Sequence, residues 1–187
     1  MAVRDTIHRK LTYEDYVLIP EDRLRHEILD GEHVVSPAPK PGHQDVSLEL
    51  SMALGPFIRG RQLGKLYYAP VDILLAEHNI LQPDLVFISN ERLRIIGEDN
   101  VEGAPDLVIE ILSDSTRRRD EGAKRRLYER YGVLEYWLID PKRRAVSVLR
   151  RAGAGFGTPE VLSAEAGDVL ATPLLPGLEI RVSRIFM

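Results

Sequence analysis

The chain has 187 residues, of which 44% are hydrophobic and 29% charged, so we expect one globular domain over 1–187. The absence of cysteine excludes disulfides, thiolate metal sites and cysteine nucleophiles. A net charge of −4 argues against a protein that coats nucleic acid nonspecifically. Residues 1–10 lack the apolar stretch of a signal peptide, and no run approaches the ~18 apolar residues of a membrane span. We therefore expect a cytoplasmic protein that does not enter a membrane.

The N-terminal half predicts a short helix, a hairpin and a long helix. The segment Thr12–Asp15 resembles a capping box that opens the first helix. Asp30-Gly31, between the two runs of segment 26–35, is a strong hairpin signal, because both turn positions favour positive φ. The proline-rich loop 37–42 then leads into a helix over about 43–59. One face of this helix is apolar and carries Val46, Leu50, Leu54 and Phe57.

Beyond this helix the pattern predicts five strands and one further helix. The strands are Leu66–Ala76, Leu81–Ser89, Asp106–Ser113, Tyr136–Ile139 and Ala145–Leu149. The helix runs over about 118–131 and is closed by Gly132. The segment 153–187 is loop-rich and ends in a weak strand around 178–182. This order predicts an α/β (α+β) fold, in which helices flank a mixed sheet that follows an N-terminal β-hairpin.

Two carboxylates stand where an apolar strand should have none. Glu110 lies inside the run Leu107–Leu112, and Asp84 opens the run 84–88. An ionised carboxylate in a covered strand is unfavourable unless it is paired, protonated or bound to a cation. Each alone is explained as well by a structural role, at a sheet edge or in an ion pair, as by a functional one. Two on adjacent predicted strands offer the hard oxygen ligands that Mg²⁺ or Mn²⁺ prefers.

Lys124 lies on the apolar face of the predicted helix 118–131. It is spaced i, i+3, i+4 and i+7 with Leu127, Tyr128 and Tyr131, which places its ammonium group towards the sheet. A lysine that snorkels to solvent is the simpler interpretation. Beside two carboxylates, however, an ammonium group can orient a water or stabilise charge on a phosphate oxygen.

Three further features are candidates for the same site. Glu27 shares a face of the first hairpin arm with Leu29, so it points either inwards or to solvent. His43 opens the long helix and suits a phosphate contact, although a plain cap-region residue is as good an account. Arg117, Arg118 and Arg119 begin a basic stretch that can hold phosphates or form an ordinary solvated helix face.

Several of these segments resemble a known family. Gln82-Pro-Asp84, followed by Pro105–Ser113 and the Lys124 helix, resembles the PD-(D/E)xK superfamily of restriction-endonuclease-like proteins. More closely, residues 11–149 resemble the bacterial Uma-type endonuclease family, long carried as a domain of unknown function. Other matching segments are Tyr13–Tyr16, Glu27–Glu32, Pro37–His43 and Glu135–Pro141.

The resemblance implies a mixed sheet flanked by helices and a site that hydrolyses phosphodiesters with Mg²⁺ or Mn²⁺. Asp84 matches the first acid of the motif, Glu110 the second, and Glu27 the additional acid that N-terminal elements often supply. The motif places its lysine two residues after the second acid, where this sequence has Leu112. Some superfamily members carry that lysine on the following helix, which is the position of Lys124.

These residues together predict a metal-dependent endonuclease acting on nucleic acid, with DNA favoured over RNA. His43 and Arg117–Arg119 are the predicted phosphate-binding residues. Two alternatives remain open: a catalytically degenerate binding module, which Leu112 favours, and a hydrolase of a small phosphate or nucleotide. Cleavage of duplex DNA also predicts a homodimer, in which the apolar C-terminal segment either joins the interface or folds back over its own sheet.

Overall fold

The computed structural model describes residues 9–20, 22 and 24–187. Most of residues 1–10, on which the expectation about a signal peptide rests, lie outside that part. The helices are α1 (Tyr13–Tyr16), α2 (Pro41–Gly60), α3 (Arg117–Arg119) and α4 (Arg125–Tyr131). A π-helical turn at Asp120–Lys124 joins α3 to α4, and 3₁₀ turns lie at Asn90–Ile95 and Val182–Phe186. No helix in the described ranges is long and apolar enough to cross a bilayer.

The strands form two main sheets and a small C-terminal pair. They are β1 (Arg25–Leu29), β2 (Glu32–Ser36), β3 (Gly64–Tyr68), β4 (Ile73–Ala76), β5 (Asn79–Leu81), β6 (Leu85–Ser89), β7 (Val101–Glu102), β8 (Leu107–Ile111), β9 (Glu135–Asp140), β10 (Ala145–Ala152), β11 (Gly155–Phe156), β12 (Glu160–Ser163), β13 (Val169–Leu170) and β14 (Ile180–Arg181). The larger sheet has the order β11-β10-β9-β8-β6-β3, with β12 beside β10, and only its β8–β9 pair is parallel. The second sheet has the order β2-β1-β5-β4-β7.

The predicted mixed sheet flanked by helices is confirmed, and its central strands are covered on both faces. Leu85 and Phe87 of β6 pack with the apolar stripe of α2, whereas Val86 and Ile88 pack in a second cluster with Leu127 of α4. This alternation follows from the two-residue period of a strand. On β8 the same period places Glu110 on the side of Val108, which belongs to the α4 cluster.

Local signals predicted the N-terminal hairpin and α2 correctly. Asp30 and Gly31 have φ of 50° and 88°, the two positive values that a tight hairpin turn with right-handed twist requires. The helix begins at Pro41, where a proline loses no intrahelical bond, and it buries Val46, Leu50, Leu54 and Ile58. At the C-terminal end of this apolar face, Ile58 is fully buried, whereas Phe57, which was predicted there, is only partly buried.

Two predicted strands are each broken into two. Leu66–Ala76 splits into β3 and β4 around Pro70, and Leu81–Ser89 splits into β5 and β6 around Pro83. A proline has no N–H for the ladder, so each strand ends there and the chain passes to the other sheet. The second break leaves Asp84 in the connection between the two sheets rather than inside a strand.

The C-terminal segment folds back over its own sheet. Its apolar side chains join the core cluster that α2 forms with the larger sheet. The residues concerned are Leu170, Leu175, Leu178, Ile180, Val182, Ile185 and Phe186. They are buried within this chain, so they do not supply the exposed apolar surface of an interface.

Candidate active site

Buried charges from four different elements meet on the α4 side of the larger sheet. Strand β1 supplies Glu27, the β5–β6 connection supplies Asp84, and β8 supplies Glu110. The π-helical turn supplies both Asp120 and Lys124. All five are at most 2% exposed. Such a concentration of charge is unfavourable unless each group has a partner, so the contacts among them determine what the site can do.

Lys124 lies at the centre of this cluster. Its Nζ is 2.7 Å from Glu27 Oε1 and 2.8 Å from Glu110 Oε1. Burial lowers the pKa of Lys124, but the carboxylates outweigh burial and raise it above its usual value. The ammonium form is therefore stable inside the protein. The interpretation of Lys124 as a side chain that snorkels to solvent is wrong, because its carboxylate partners are inside.

The π-helical turn contributes two inward side chains to the cluster. Asp120 and Lys124 lie four residues apart, which is about one helical turn, so both face the sheet. Both are buried, and Asp120 Oδ1 lies 3.7 Å from Lys124 Nζ. Downstream, α4 is fixed by buried Leu127 and Tyr128. Turns of this type are frequent at functional sites.

Asp84 is held ionised by three donors. Arg25 Nη2 donates to Oδ1 at 2.8 Å, while Oδ2 accepts from Ile111 N at 2.7 Å and lies 3.1 Å from His43 Nε2. Burial raises the pKa of Asp84, but the hydrogen bonds and the charges of Arg25 and His43 lower it to about 2. The group is therefore a carboxylate at neutral pH.

Glu110 has the opposite electrostatic environment. Both of its hydrogen bonds, from Lys124 Nζ and Tyr128 Oη, go to Oε1 at 2.8 Å. Burial raises its pKa to about 8, because the favourable charge of Lys124 is opposed by nearby carboxylates that include Asp120 and Asp84. Burial also raises the pKa of Asp120. Without an added cation, the cluster therefore retains a proton at neutral pH.

The donor set fits a hard divalent cation in type and charge. Carboxylate oxygens are the ligands that Mg²⁺ and Mn²⁺ prefer. Two buried oxygens, Glu27 Oε2 and Asp120 Oδ1, have no hydrogen-bond partner in the described structure. Within residues 9–20, 22 and 24–187, no three His, Asp or Glu side chains are arranged as a group that could hold a metal ion. Arg25 lies against Asp84 Oδ1, and Lys124 lies against Glu27 Oε1 and Glu110 Oε1.

The structure separates the four predicted phosphate-binding residues. His43 lies in the first turn of α2 and reaches the cluster through Asp84. Arg119 contacts Ser36 Oγ and lies 3.8 Å from Glu27 Oε2, so it borders the cluster. Arg117 is engaged elsewhere, with Asp140 at 2.8 Å, and Arg118 is exposed on the helix surface. Three consecutive helical residues point in different directions, so one short basic run cannot act as a single patch.

A cavity of about 480 Å³ opens beside the cluster. Arg25 and His43, the two side chains that hold Asp84, line it. The loop 37–40 that precedes α2 and the segment 112–116 after β8 form other parts of its wall. Asp84 is almost fully buried, so the cavity provides a route from solvent towards it.

The sequence interpretation gave no role in the site to three residues that the structure places there. Two of them, Arg25 and Tyr128, contact the cluster, and the third, Asp120, belongs to it. Arg25 precedes Glu27 by two residues on β1, so an inward Glu27 places Arg25 on the same face. Asp120 precedes Lys124 by four residues, which is also a same-face spacing. Tyr128 was assigned to the apolar face, where its ring does pack, but its hydroxyl is a donor to Glu110. Same-face spacing from the suspected residues was the usable signal in all three cases.

Comparisons with known proteins agree with this architecture. A crystal structure of a protein from Anabaena variabilis, described as a putative nuclease belonging to DUF820, superposes with a TM-score of 0.79 at 20% identity and covers 94% of this chain and 97% of that one. At that identity the likeness establishes the fold. None of the curated proteins compared with the chain matches it. The family model Uma2, described as Putative restriction endonuclease, matches residues 13–183. Since the match spans most of its length, the chain belongs to the Uma2 family.

Proposed function

We propose that the chain is a divalent-metal-dependent endonuclease that hydrolyses phosphodiester bonds, with DNA as the favoured substrate. The observation that carries this proposal is the convergence of Glu27, Glu110 and Asp120 around Lys124, beside a cavity. Asp84 is close enough to Glu110 to raise the pKa of that group. Family membership supports the class of reaction. Perturbed carboxyl and lysine groups collected next to a cleft are the usual mark of a catalytic centre.

Mg²⁺ or Mn²⁺ would be held by Asp84 and Glu110, with Glu27 as the additional acid. A bound divalent cation lowers the pKa of its water and polarises a phosphate oxygen. The two acids differ in their protonation state before metal binds. Asp84 is already ionised, with a pKa of about 2, whereas Glu110 must first lose the proton that its pKa of about 8 retains.

Lys124 would fix the geometry of the acids and supply positive charge. Its Nζ donates a hydrogen bond to Glu110 and forms an ion pair with Glu27, and the remaining N–H capacity would serve an attacking water or a phosphate oxygen. This is the role expected of the motif lysine, carried by a helix instead of the strand. Leu112, at the usual lysine position, is buried in the apolar cluster that includes Leu127.

His43 and Arg119 are the better phosphate-binding candidates, because both border the carboxylate cluster. Arg118 is exposed and suited only to a distant phosphate along the strand. The ion pairs of Arg117 with Asp140 and Glu121 leave it a mainly structural role.

A cleavage assay combined with metal titration tests the proposal. Plasmid DNA, single-stranded DNA, RNA and mononucleotides are incubated with Mg²⁺ or Mn²⁺, and we expect cleavage of a polymer. Asp84→Asn and Glu110→Gln should each abolish cleavage and weaken metal binding by about tenfold or more, because each removes an anionic ligand without changing its size. Salt-sensitive binding without cleavage would favour the degenerate binding module, and turnover of nucleotides alone would favour the small-phosphate hydrolase.

Glu135→Gln is the matched control for that experiment. Glu135 is another buried carboxylate, but it accepts hydrogen bonds from Trp137, Arg150 and Thr172, away from the cluster. Its substitution makes the same chemical change. Metal affinity should therefore stay at the wild-type value, and equal losses in all three variants would contradict a specific site.

The assembly and location of the enzyme belong to the same proposal. We treat 1–187 as one domain, which is supported by the core cluster that the C-terminal segment shares with α2. A two-fold dimer is part of the proposal, because closed two-fold dimers are the commonest soluble oligomers. A cytoplasmic location agrees with the cysteine-free composition.

A further inference from the structure

The cavity beside the carboxylate cluster is lined by two chemically different sets of residues. One set is apolar and consists of the exposed loop Pro37-Ala38-Pro39 together with Leu112 and Pro141. The other set is basic and includes Arg25, Lys40 and His43. Asp114, the acid in the lining, is paired with Lys142 at 2.6 Å. The cavity therefore presents an apolar surface and positive charge to the same ligand.

An intact duplex cannot present a base face and a phosphate to this cavity together. Its exterior is sugar and phosphate, and its bases are stacked and paired inside. An unpaired nucleotide, in contrast, offers a flat apolar base and an anionic phosphate together, which match the apolar and basic residues of the lining. A volume of about 480 Å³ lies in the range of small-ligand pockets. A base can enter such a space only when it has left the stack.

We propose that this cavity receives one unpaired nucleotide of a single strand, with the base against the 37–39 loop and a phosphate towards Arg25 and His43. The inference rests on the proposed function and specifies its substrate class. Arg25 and His43 contact Asp84 directly, so a phosphate bound to them lies next to the carboxylate cluster. The enzyme therefore acts on single strands, or on unpaired positions within a duplex.

Gly42 offers a way to fill the cavity without disturbing the fold. It lines the cavity, and a Cβ built on it meets no atom within 4 Å. Gly60, at the other end of α2, also has open space around its Cβ and lies outside the cavity lining. Gly42→Phe and Gly60→Phe are thus a matched pair on one helix. Phenylalanine has a higher helix propensity than glycine, so neither substitution is expected to disrupt α2.

The test is fluorescence anisotropy in EDTA, so that binding is measured without cleavage. The probes are a labelled twelve-residue thymidine strand, the same strand annealed to its complement, and the corresponding uridine RNA. We expect the free strand to bind about tenfold tighter than the duplex, because only an unpaired base can bury its face against the apolar lining. Gly42→Phe should lower strand affinity at least about fivefold, while Gly60→Phe leaves it unchanged. Thermal melts should show that both variants are folded.

Equal affinity for strand and duplex would overturn the inference, as would strand binding that Gly42→Phe does not weaken. The RNA arm distinguishes a DNA strand from any unpaired strand. The outcomes also separate this inference from the proposed function. Strand binding that is sensitive to Gly42→Phe, without cleavage of any polymer in Mg²⁺ or Mn²⁺, would overturn only the nuclease. Duplex cleavage at the same rate in wild type and Gly42→Phe would overturn only the substrate class.

Discussion

Arg25 forms an ion pair with Asp84, and a metal ion that binds Asp84 would compete with it. Its guanidinium lies 2.8 Å from Asp84 Oδ1 and is mostly buried. Burial lowers the pKa of Arg25, but the charges of Asp84, Glu110 and Glu27 outweigh it and raise the pKa. These are the three carboxylates proposed as metal ligands. Arg25 is therefore a built-in counter-cation of the metal-free protein.

Removing that counter-cation should strengthen metal binding. We expect Arg25→Gln to raise the affinity for Mn²⁺ several-fold, measured by calorimetry, because the metal no longer displaces an ion pair from Asp84. The same variant should be less stable in EDTA, since Asp84 then lacks its closest positive charge. Arg92→Gln, which breaks the comparable pair of Arg92 with buried Asp106, is the control for a lost ion pair alone. A fall in Mn²⁺ affinity would mean that Arg25 helps to hold the metal site together.

The raised pKa of Glu110 predicts a pH dependence of metal binding. Metal binds the deprotonated form, so binding must release the proton that the folded protein retains up to about pH 8. Apparent affinity should therefore rise as pH increases from 6 towards 8, by up to about tenfold per pH unit, and level off above that. Calorimetry in buffers of different ionisation enthalpy counts the released protons. In Glu110→Gln this part of the pH dependence should vanish, and its persistence would assign the proton to another group.

At the level of single residues, the sequence revealed charges in apolar surroundings and little else. Glu110 and Lys124 were predictable, because each stands on a face whose other members are apolar. Arg25 was not singled out, because an arginine at the start of a hairpin strand looks like an exposed residue until its partner is known. That partner, Asp84, is 59 residues away. Such long-range pairing has no local signature.

At the level of elements, the N-terminal hairpin links the stability of the fold to the site. Its first strand carries both Arg25 and Glu27, and its register is fixed by the turn at Asp30-Gly31. Gly31 has φ of 88°, and a Cβ there would lie 2.5 Å from Lys10 Cβ. Only glycine satisfies both conditions without a shift of the neighbouring chain.

Gly31→Ala should therefore destabilise the protein by more than the ~1–2 kcal/mol that a positive φ alone costs. The clash with Lys10 adds to the backbone strain. Gly153→Ala is the control, because Gly153 also has positive φ (66°) but has open space around its Cβ. Thermal melts of both variants should show the larger decrease in Tm for Gly31→Ala. Equal decreases would show that the Lys10 contact relaxes without cost.

Element types were more predictable from the sequence than the pairing of elements. Capping, turn and periodicity signals located α2, the hairpin and the buried strands β6, β8 and β9. The division into two sheets was not predictable, because it depends on contacts such as Ile28 with Ile80, which join segments far apart in the chain. The two strand breaks coincide with Pro70 and Pro83, which lie inside the predicted strands. A proline inside a predicted strand was the available warning.

At the level of the whole molecule, the two faces of the larger sheet have different roles. Its α2 face holds an apolar core that includes the C-terminal segment, and its α4 face holds the charged cluster. Alternating residues of the same strands serve both, as Ile109 and Glu110 illustrate on β8. Substitutions in the C-terminal segment should therefore affect stability without changing the metal ligands.

Substitution of Leu175 tests both the structural role of the C-terminal segment and the proposed dimer. It is fully buried against the sheet, so Leu175→Ala should destabilise the protein by about 2–5 kcal/mol. Val169, in the same C-terminal segment but 43% exposed, is the control, and Val169→Ala should change stability by well under 1 kcal/mol. Denaturant unfolding measures both changes, and light scattering at micromolar concentration measures the stoichiometry. We expect a dimer whose stoichiometry is the same in wild type and both variants, because Leu175 packs inside its own chain. A monomeric wild type would contradict the proposed dimer, whereas a dimer that dissociates in folded Leu175→Ala would place the C-terminal segment at the interface.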